Sequence, residues 1–285
     1  MMNEWTFNIF RNAYNEFTDT DGKFDGSILE QYADAVVKDL LDVDQKPVAA
    51  ESVVVVTVWM AITHYLEVAV VGCKDSDEGG IDVAINALDK AVALWVGERE
   101  SDGSRGHLMY GLSEEMSEVF GTTTNSDILE LMSSAKDGYL LNGRCSTDST
   151  AWLFFRKHKN EIISKMTIPL VQNFINHIFE GGDKFVELYS LTVGPLISAC
   201  SKNTFEFFLD NAVKDDYDSQ MNFVFVEYLQ RSYSCLGMTC EDVGEYSKGS
   251  VPTCTDRTKT LSLTGYDAST NIWLVSSLCY LSRRV

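Results

Sequence analysis

The chain has 285 residues, of which 45% are hydrophobic, so it is long enough to bury a sizeable core. It carries 42 acidic against 23 basic residues, which gives a net charge of −19. Such a surface repels phosphate backbones and anionic headgroups, which argues against nucleic-acid binding and attachment to anionic membranes, and it attracts cations.

Apolar side chains recur at helical spacing along most of the chain, and no βαβ pattern appears. This periodicity predicts an all-α protein, a single multi-helix bundle over residues 1–285. The predicted helices are 5–17, 27–42, 47–72, 81–97, 107–119, 125–136, 148–164, 167–180, 183–199, 203–213, 216–234 and 268–282. Two pseudo-repeated halves, 1–140 and 145–285, are a further interpretation, because each has an apolar helix with an HxxE, two glycines and an amphipathic helix.

An acidic, turn-rich loop, residues 19–26, lies between the first two predicted helices. Its residues Asp19, Asp21 and Asp25, with Glu30 beyond it, fall at positions 1, 3, 7 and 12 of an EF-hand calcium loop. Position 5 is Lys23, however, and position 6, which needs glycine for the sharp turn, is Phe24. The pattern therefore favours a capped loop that leads into the next helix.

Residues 47–72 form the most apolar stretch, and its length raises the question of a transmembrane span. His64 and Glu67 lie within the stretch, and ionisable groups are costly in lipid. We therefore predict a buried central helix that opens at Pro47, and no membrane insertion.

Two HxxE pairs are the main candidates for metal ligands: His64 with Glu67, and His177 with Glu180. Residues three apart on a helix share a face, so each pair can aim an imidazole and a carboxylate at one point. Bundles build metal sites from such side chains on facing helices. The sequence therefore predicts an interhelical metal site of His64, Glu67, His177, Glu180 and Glu187, with Tyr189 as a further completion. Alternatively, His64 is a hydrogen-bonded core histidine and the second pair is an exposed helix end.

Seven cysteines are present, and three of them fall close together: Cys235, Cys240 and Cys254. Their spacing is not that of a zinc finger, and no histidine follows nearby. A local disulfide is favoured if the compartment is oxidising, while buried reduced thiols would fit the cytosol. The chain shows no signal peptide.

Several segments together resemble the algal iron-assimilation proteins, which are secreted or periplasmic proteins that respond to iron or carbon dioxide supply. The segments that carry the resemblance are 87–97, 106–113, 120–122, 165–172 and 233–244. These proteins are distantly similar to imelysin-type helical domains, whose mark is GxHxxE. Ile62 and Ile175 stand where that mark has glycine.

The resemblance implies a helical, non-catalytic, iron-binding protein that is secreted or periplasmic and works at the cell surface, where a surface protein could be a further partner. Iron is the implied metal, with zinc or another divalent cation as alternatives. A second hypothesis is a di-iron oxidase or ferroxidase built on the same ligands. A third is an acidic helical interaction or scaffold domain in which the HxxE pairs are structural. No GxSxG, P-loop, GxGxxG or HExxH supports any other enzyme.

Overall fold

The computed structural model describes residues 32–42, 45–75, 77–97, 106–198, 201–214 and 217–255. Within these ranges the protein is all-α and has no strand, so the predicted fold class is confirmed. Its helices are α1 (Tyr32–Asp42), α2 (Lys46–Asp75), α3 (Glu78–Val96), α4 (Met109–Phe120), α5 (Thr124–Ala135), α6 (Arg144–Thr147), α7 (Ala151–Glu180), α8 (Asp183–Ser198), α9 (Lys202–Leu209), α10 (Asn222–Leu236) and α11 (Cys240–Val243). The predicted helices 5–17 and 268–282 and the acidic loop 19–26 lie outside the described residues.

One hydrophobic core includes buried residues of both halves of the chain, from Val36 to Tyr246. Helix α7 lies at its centre and packs against α2, α4, α5, α8 and α10. The two HxxE pairs take different places in their helices. His64 and Glu67 lie inside α2, which continues to Asp75, whereas Glu180 is the last residue of α7. The proposed pseudo-repeat stays a prediction.

Helix α2 forms over the predicted apolar stretch and extends it at both ends. Pro47 lies in its first turn, where the missing N–H costs no hydrogen bond. The valine-rich segment Val53–Val58 is wound as a π-helix, which inserts extra backbone without ending the helix. By length and apolarity α2 could cross a membrane, yet 50% of its most apolar window is buried inside the protein. That burial is typical of a core helix, and the absence of membrane insertion stays a prediction.

Helix α7 is continuous from Ala151 to Glu180, whereas the sequence predicts two helices separated before Pro169. A proline inside a helix removes one backbone hydrogen bond. Side chains supply local bonds on either side of it. Thr167 Oγ1 donates to the Ile163 carbonyl at 2.8 Å, and Asn173 Nδ2 donates to the Pro169 carbonyl at 2.8 Å. Complete burial of the surrounding turns outweighs the local preference for a break.

Two disulfides, one long-range and one local, lie within the described chain. Cys73, near the end of α2, bonds Cys145 in α6 with a Cα–Cα distance of 5.1 Å. Cys240 bonds Cys254 across a sequence separation of 14. Cys235 is disulfide-bonded as well. Its partner is not Cys240, because Cys240 pairs with Cys254. Disulfides of this kind are compatible with an oxidising compartment.

Helices α2 and α3 are in close backbone contact at two glycines. A Cβ added at Gly72 would lie 2.4 Å from the Gly80 carbonyl oxygen. Gly80 in turn donates its N–H to Asp77, which caps α3 at 2.6 Å. The backbone contact fixes the distance between the two helices, and a side chain at either glycine would force them apart.

We expect Gly72→Ala to destabilise the fold by about 1–3 kcal/mol, because the new methyl group meets backbone instead of a movable side chain. Gly138→Ala is the matched control. A Cβ there meets nothing within 4 Å, and alanine is favoured over glycine in a helix by about 0.5–1 kcal/mol. Urea unfolding of both variants measures the difference. Equal stability of the two would show that the helices are not in close contact here.

Candidate metal centre

The first HxxE pair is divided between two environments. His64 lines a cleft of about 810 Å³ between α2 and α3, together with Asp75 and Asp77. Burial lowers the pKa of His64, so its imidazole is neutral at physiological pH. The Asp77 carboxylate is already engaged, because it caps the first turn of α3.

Glu67 faces α7 and pairs with Lys159. Lys159 Nζ lies 2.5 Å from Glu67 Oε2, and its side chain is only 4% exposed. Burial lowers the pKa of Lys159, and the Glu67 carboxylate opposes that change. The lysine already supplies the positive charge that a metal would bring to Glu67, so this pair fits a structural role.

The two side chains of the second HxxE pair also have different partners. Glu180 bonds Lys248, and Asn176 Nδ2 donates to its other oxygen at 3.1 Å. The Lys248 ammonium lowers the pKa of Glu180. Glu187, the fifth predicted ligand, is buried and accepts a bond from Lys184 at 2.6 Å. A lysine therefore holds each of the three predicted carboxylates.

His177 turns into a crevice between α7, α8 and the beginning of α2. Its ring stacks on Phe185 at 4.3 Å between centroids and lies 5.6 Å from Tyr189. Its Nε2 atom lies 3.8 Å from Glu51 Oε1. Burial lowers the pKa of His177 to about 4, which leaves a neutral imidazole near neutral pH.

Glu51 and Tyr189 complete this crevice. The Tyr189 hydroxyl donates to Glu51 Oε1 at 2.5 Å, so one carboxylate oxygen faces both the phenol and the imidazole. Burial raises the pKa of Glu51 and of Tyr189, and the Glu115 carboxylate raises both further. Among the described residues, no lysine or arginine bonds Glu51, whereas Glu67, Glu180 and Glu187 each pair with a lysine.

Sequence reasoning anticipated Tyr189 and missed Glu51. The available signal was a single carboxylate two residues before the valine run of the most apolar helix, a position where an unpaired acid is costly. Its partners could not be read from spacing, since Tyr189 is 138 positions away.

The two HxxE pairs do not meet. Glu51 contacts His177, and His64 lies 13 positions further along α2, which is about 20 Å at 1.5 Å per residue. Within the described ranges, no group of three or more histidine, cysteine, aspartate or glutamate side chains is arranged to hold a metal ion. Metal binding at either pair stays a prediction. In the crevice, the Tyr189 phenol is a third polar group beside the His177 imidazole and the Glu51 carboxylate.

No protein-family model, no curated protein and no solved structure matches this chain. The resemblance to algal iron-assimilation proteins therefore stays a prediction that depends on the quoted segments alone.

Glu67→Gln should destabilise the fold by about 3 kcal/mol or more, because it removes the carboxylate charge that faces the buried Lys159 ammonium. The double variant Glu67→Leu with Lys159→Met removes both charges and should recover much of that loss. Chemical denaturation in metal-free buffer measures both. Equal losses in the single and double variants would contradict a charge-pair role for Glu67.

The depressed pKa of His177 makes stability depend on pH. Because the unfolded histidine takes up a proton near pH 6.5 and the folded one only near pH 4, stability present above pH 6.5 is lost as the pH falls between these values. The loss amounts to at most about 3 kcal/mol. The raised pKa of Glu51 has the opposite effect, because it makes the folded state more stable as the pH falls, and it therefore reduces the loss of stability that His177 causes.

We therefore expect His177→Gln to unfold with a shallower pH dependence than wild type between pH 6.5 and 4. Loss of packing lowers the stability of the variant at every pH, so the slope is the measurement that matters. Parallel curves for the two proteins would show that His177 is not buried as a neutral ring.

Proposed function

We propose that the protein binds iron as its cargo in the crevice of Glu51, His177 and Tyr189, and that it serves iron assimilation at the cell surface without catalysis. The observation that carries the proposal is the convergence of a phenol and an imidazole on one carboxylate oxygen. Carboxylate and phenolate oxygens suit hard Fe³⁺, and a neutral imidazole suits Fe²⁺ and Zn²⁺.

Access and charge support this choice of site. The side chains of His177 and Glu51 are 18% and 23% exposed, so a small cation can reach them from solvent. The Glu115 carboxylate lies near enough to raise the pKa of both Glu51 and Tyr189, which marks the crevice as electronegative. The net charge of −19 raises the local cation concentration around the whole protein.

Binding would replace the proton between Tyr189 and Glu51. The hydroxyl donates to the carboxylate in the metal-free state, and a cation coordinated by both oxygens would displace that proton to solvent. Three protein donors leave further coordination positions for water or an anion. The affinity should therefore rise with pH.

Secretion is part of the proposal. Two disulfides suit an oxidising compartment, and the acidic surface suits a protein that captures cations outside the cell. The surface location and the role in iron supply come from the resemblance of the sequence segments.

A helical interaction or scaffold domain is the second candidate. The observation that favours it is the pairing of Glu67, Glu180 and Glu187 with lysines, which gives these carboxylates a structural role without any metal. In that case the crevice too would be a packing arrangement, and metal would not change the stability of the protein.

Titration of metal-free protein with Fe²⁺, Fe³⁺-citrate and Zn²⁺ tests the proposal. We expect stoichiometric binding, and stabilisation by about 2.7 kcal/mol when the free metal concentration is a hundred times Kd. Fe³⁺ bound to a phenolate should give a visible charge-transfer band that Tyr189→Phe abolishes. Glu51→Gln and His177→Gln should each weaken binding at least tenfold.

His64→Gln is the matched control, because it removes the equivalent histidine of the other HxxE pair. It should leave binding at the crevice unchanged. Loss of binding in His64→Gln alone would move the site to the cleft between α2 and α3. Equal metal stabilisation in wild type and all four variants would refute a specific site and favour the scaffold function.

A further inference from the structure

The segment 239–251, which we call the strap, lies across the polar side of α7. Lys165 donates to Asp242 at 2.7 Å, and Gln172 Nε2 donates to the Val243 carbonyl at 2.8 Å. These two contacts lie two turns apart on α7, so the strap follows the helix towards its carboxyl end.

The other side of the strap is held by the end of α4. Glu245 donates its backbone N–H to the Phe120 carbonyl and Ser247 donates to the Val119 carbonyl, each at 3.1 Å. The disulfide between Cys240 of the strap and Cys254, three residues beyond it, closes this part of the chain into a loop. The strap backbone is therefore fixed on both sides before the chain reaches Lys248.

Lys248 extends from the strap over the last turn of α7. Its ammonium bonds Glu180 and lies 3.2 Å from Asn176 Oδ1. The lysine is exposed, and its backbone makes none of the contacts that anchor the strap. The side chain can therefore leave Glu180 by rotation, without unfolding of the strap.

The same ammonium acts on the crevice. Glu180 and His177 are three residues apart on α7, and the Lys248 charge contributes to the lowered pKa of His177. Glu115 interacts electrostatically with Lys248 as well as with Glu51 and Tyr189. Lys248 thus lies within reach of the charges that would attract a cation.

We propose that Lys248 is a tethered counter-cation that an incoming metal ion must displace from Glu180, so that this lysine sets the metal affinity of the crevice. The inference rests on the proposed function. In the metal-free state the ammonium neutralises Glu180. When a cation binds at His177, the like charges repel, Lys248 turns to solvent, and Glu180 becomes available one turn from His177 as an additional oxygen ligand.

This arrangement also gives selectivity by charge. A trivalent or divalent ion gains more from Glu180 than an ammonium does, whereas a monovalent ion of similar size gains little and cannot replace it. The crevice should therefore reject Na⁺ and K⁺ even though the surface around it is acidic.

Lys248→Gln tests the proposal. The glutamine can still bond Glu180 but carries no charge, so we expect Fe²⁺ and Zn²⁺ to bind at least about tenfold tighter, which corresponds to about 1.4 kcal/mol. The control is Lys136→Gln. Lys136 also holds a carboxylate of another helix, Asp89 at 2.6 Å, and its loss changes the net charge equally. The control should keep the wild-type Kd.

The double variant Lys248→Gln with Glu180→Gln shows whether the released carboxylate is used, and it should lose most of the gain in affinity. An equal decrease in Kd in Lys248→Gln and Lys136→Gln would show that only the net charge of the protein matters, and it would overturn the proposal. An unchanged Kd in Lys248→Gln, with binding still lost in Glu51→Gln, would also overturn it and leave the proposed function standing. Absence of binding in every protein, including wild type, would remove the proposed function itself.

Discussion

Burial of polar side chains along α7 is the constraint on which the rest of this fold depends. The helix lies at the centre of the core and yet carries Lys159, Gln172, Asn176 and His177 on its buried length. Each such group costs free energy unless a neighbouring element satisfies it. Helix α2 supplies Glu67 and Glu51, while the strap supplies the Val243 carbonyl and Lys248. The packing of both elements on α7 is therefore specified by polar matching as well as by apolar area.

The same constraint separates structural carboxylates from the candidate site. Where a carboxylate meets a lysine, both charges are neutralised and the pair has little reason to take up a cation. Glu51 meets a neutral imidazole and a phenol instead, and burial raises its pKa. A site for a metal is expected where negative charge is buried without a fixed positive partner, and in the described part of the chain Glu51 meets that condition best.

Sequence periodicity predicted most of the long described helices, but it could not identify the partners of the charged side chains. Periodicity predicted α3, α4 and α8 to within a few residues, because each helix has a regular apolar stripe. It failed at Pro169, where burial outweighs a local rule. Helical spacing also identified both HxxE pairs, but the partners of Glu67, Glu180 and Glu51 lie 92, 68 and 138 positions away in sequence. Only the packing of α2, α8 and the strap on α7 brings them together, and no local pattern encodes that packing.

The charge balance of the crevice explains how a cation could bind inside a packed bundle without rearranging it. In the metal-free state one proton lies between Tyr189 and Glu51, and one ammonium lies on Glu180. A divalent ion that displaces both exchanges two positive charges for two, so the net charge of the site does not change. The groups that move are a proton and one exposed side chain. The disulfide-closed strap and the buried turns of α7 can then remain in place, which is what the proposed role of a carrier that loads and unloads its cargo requires.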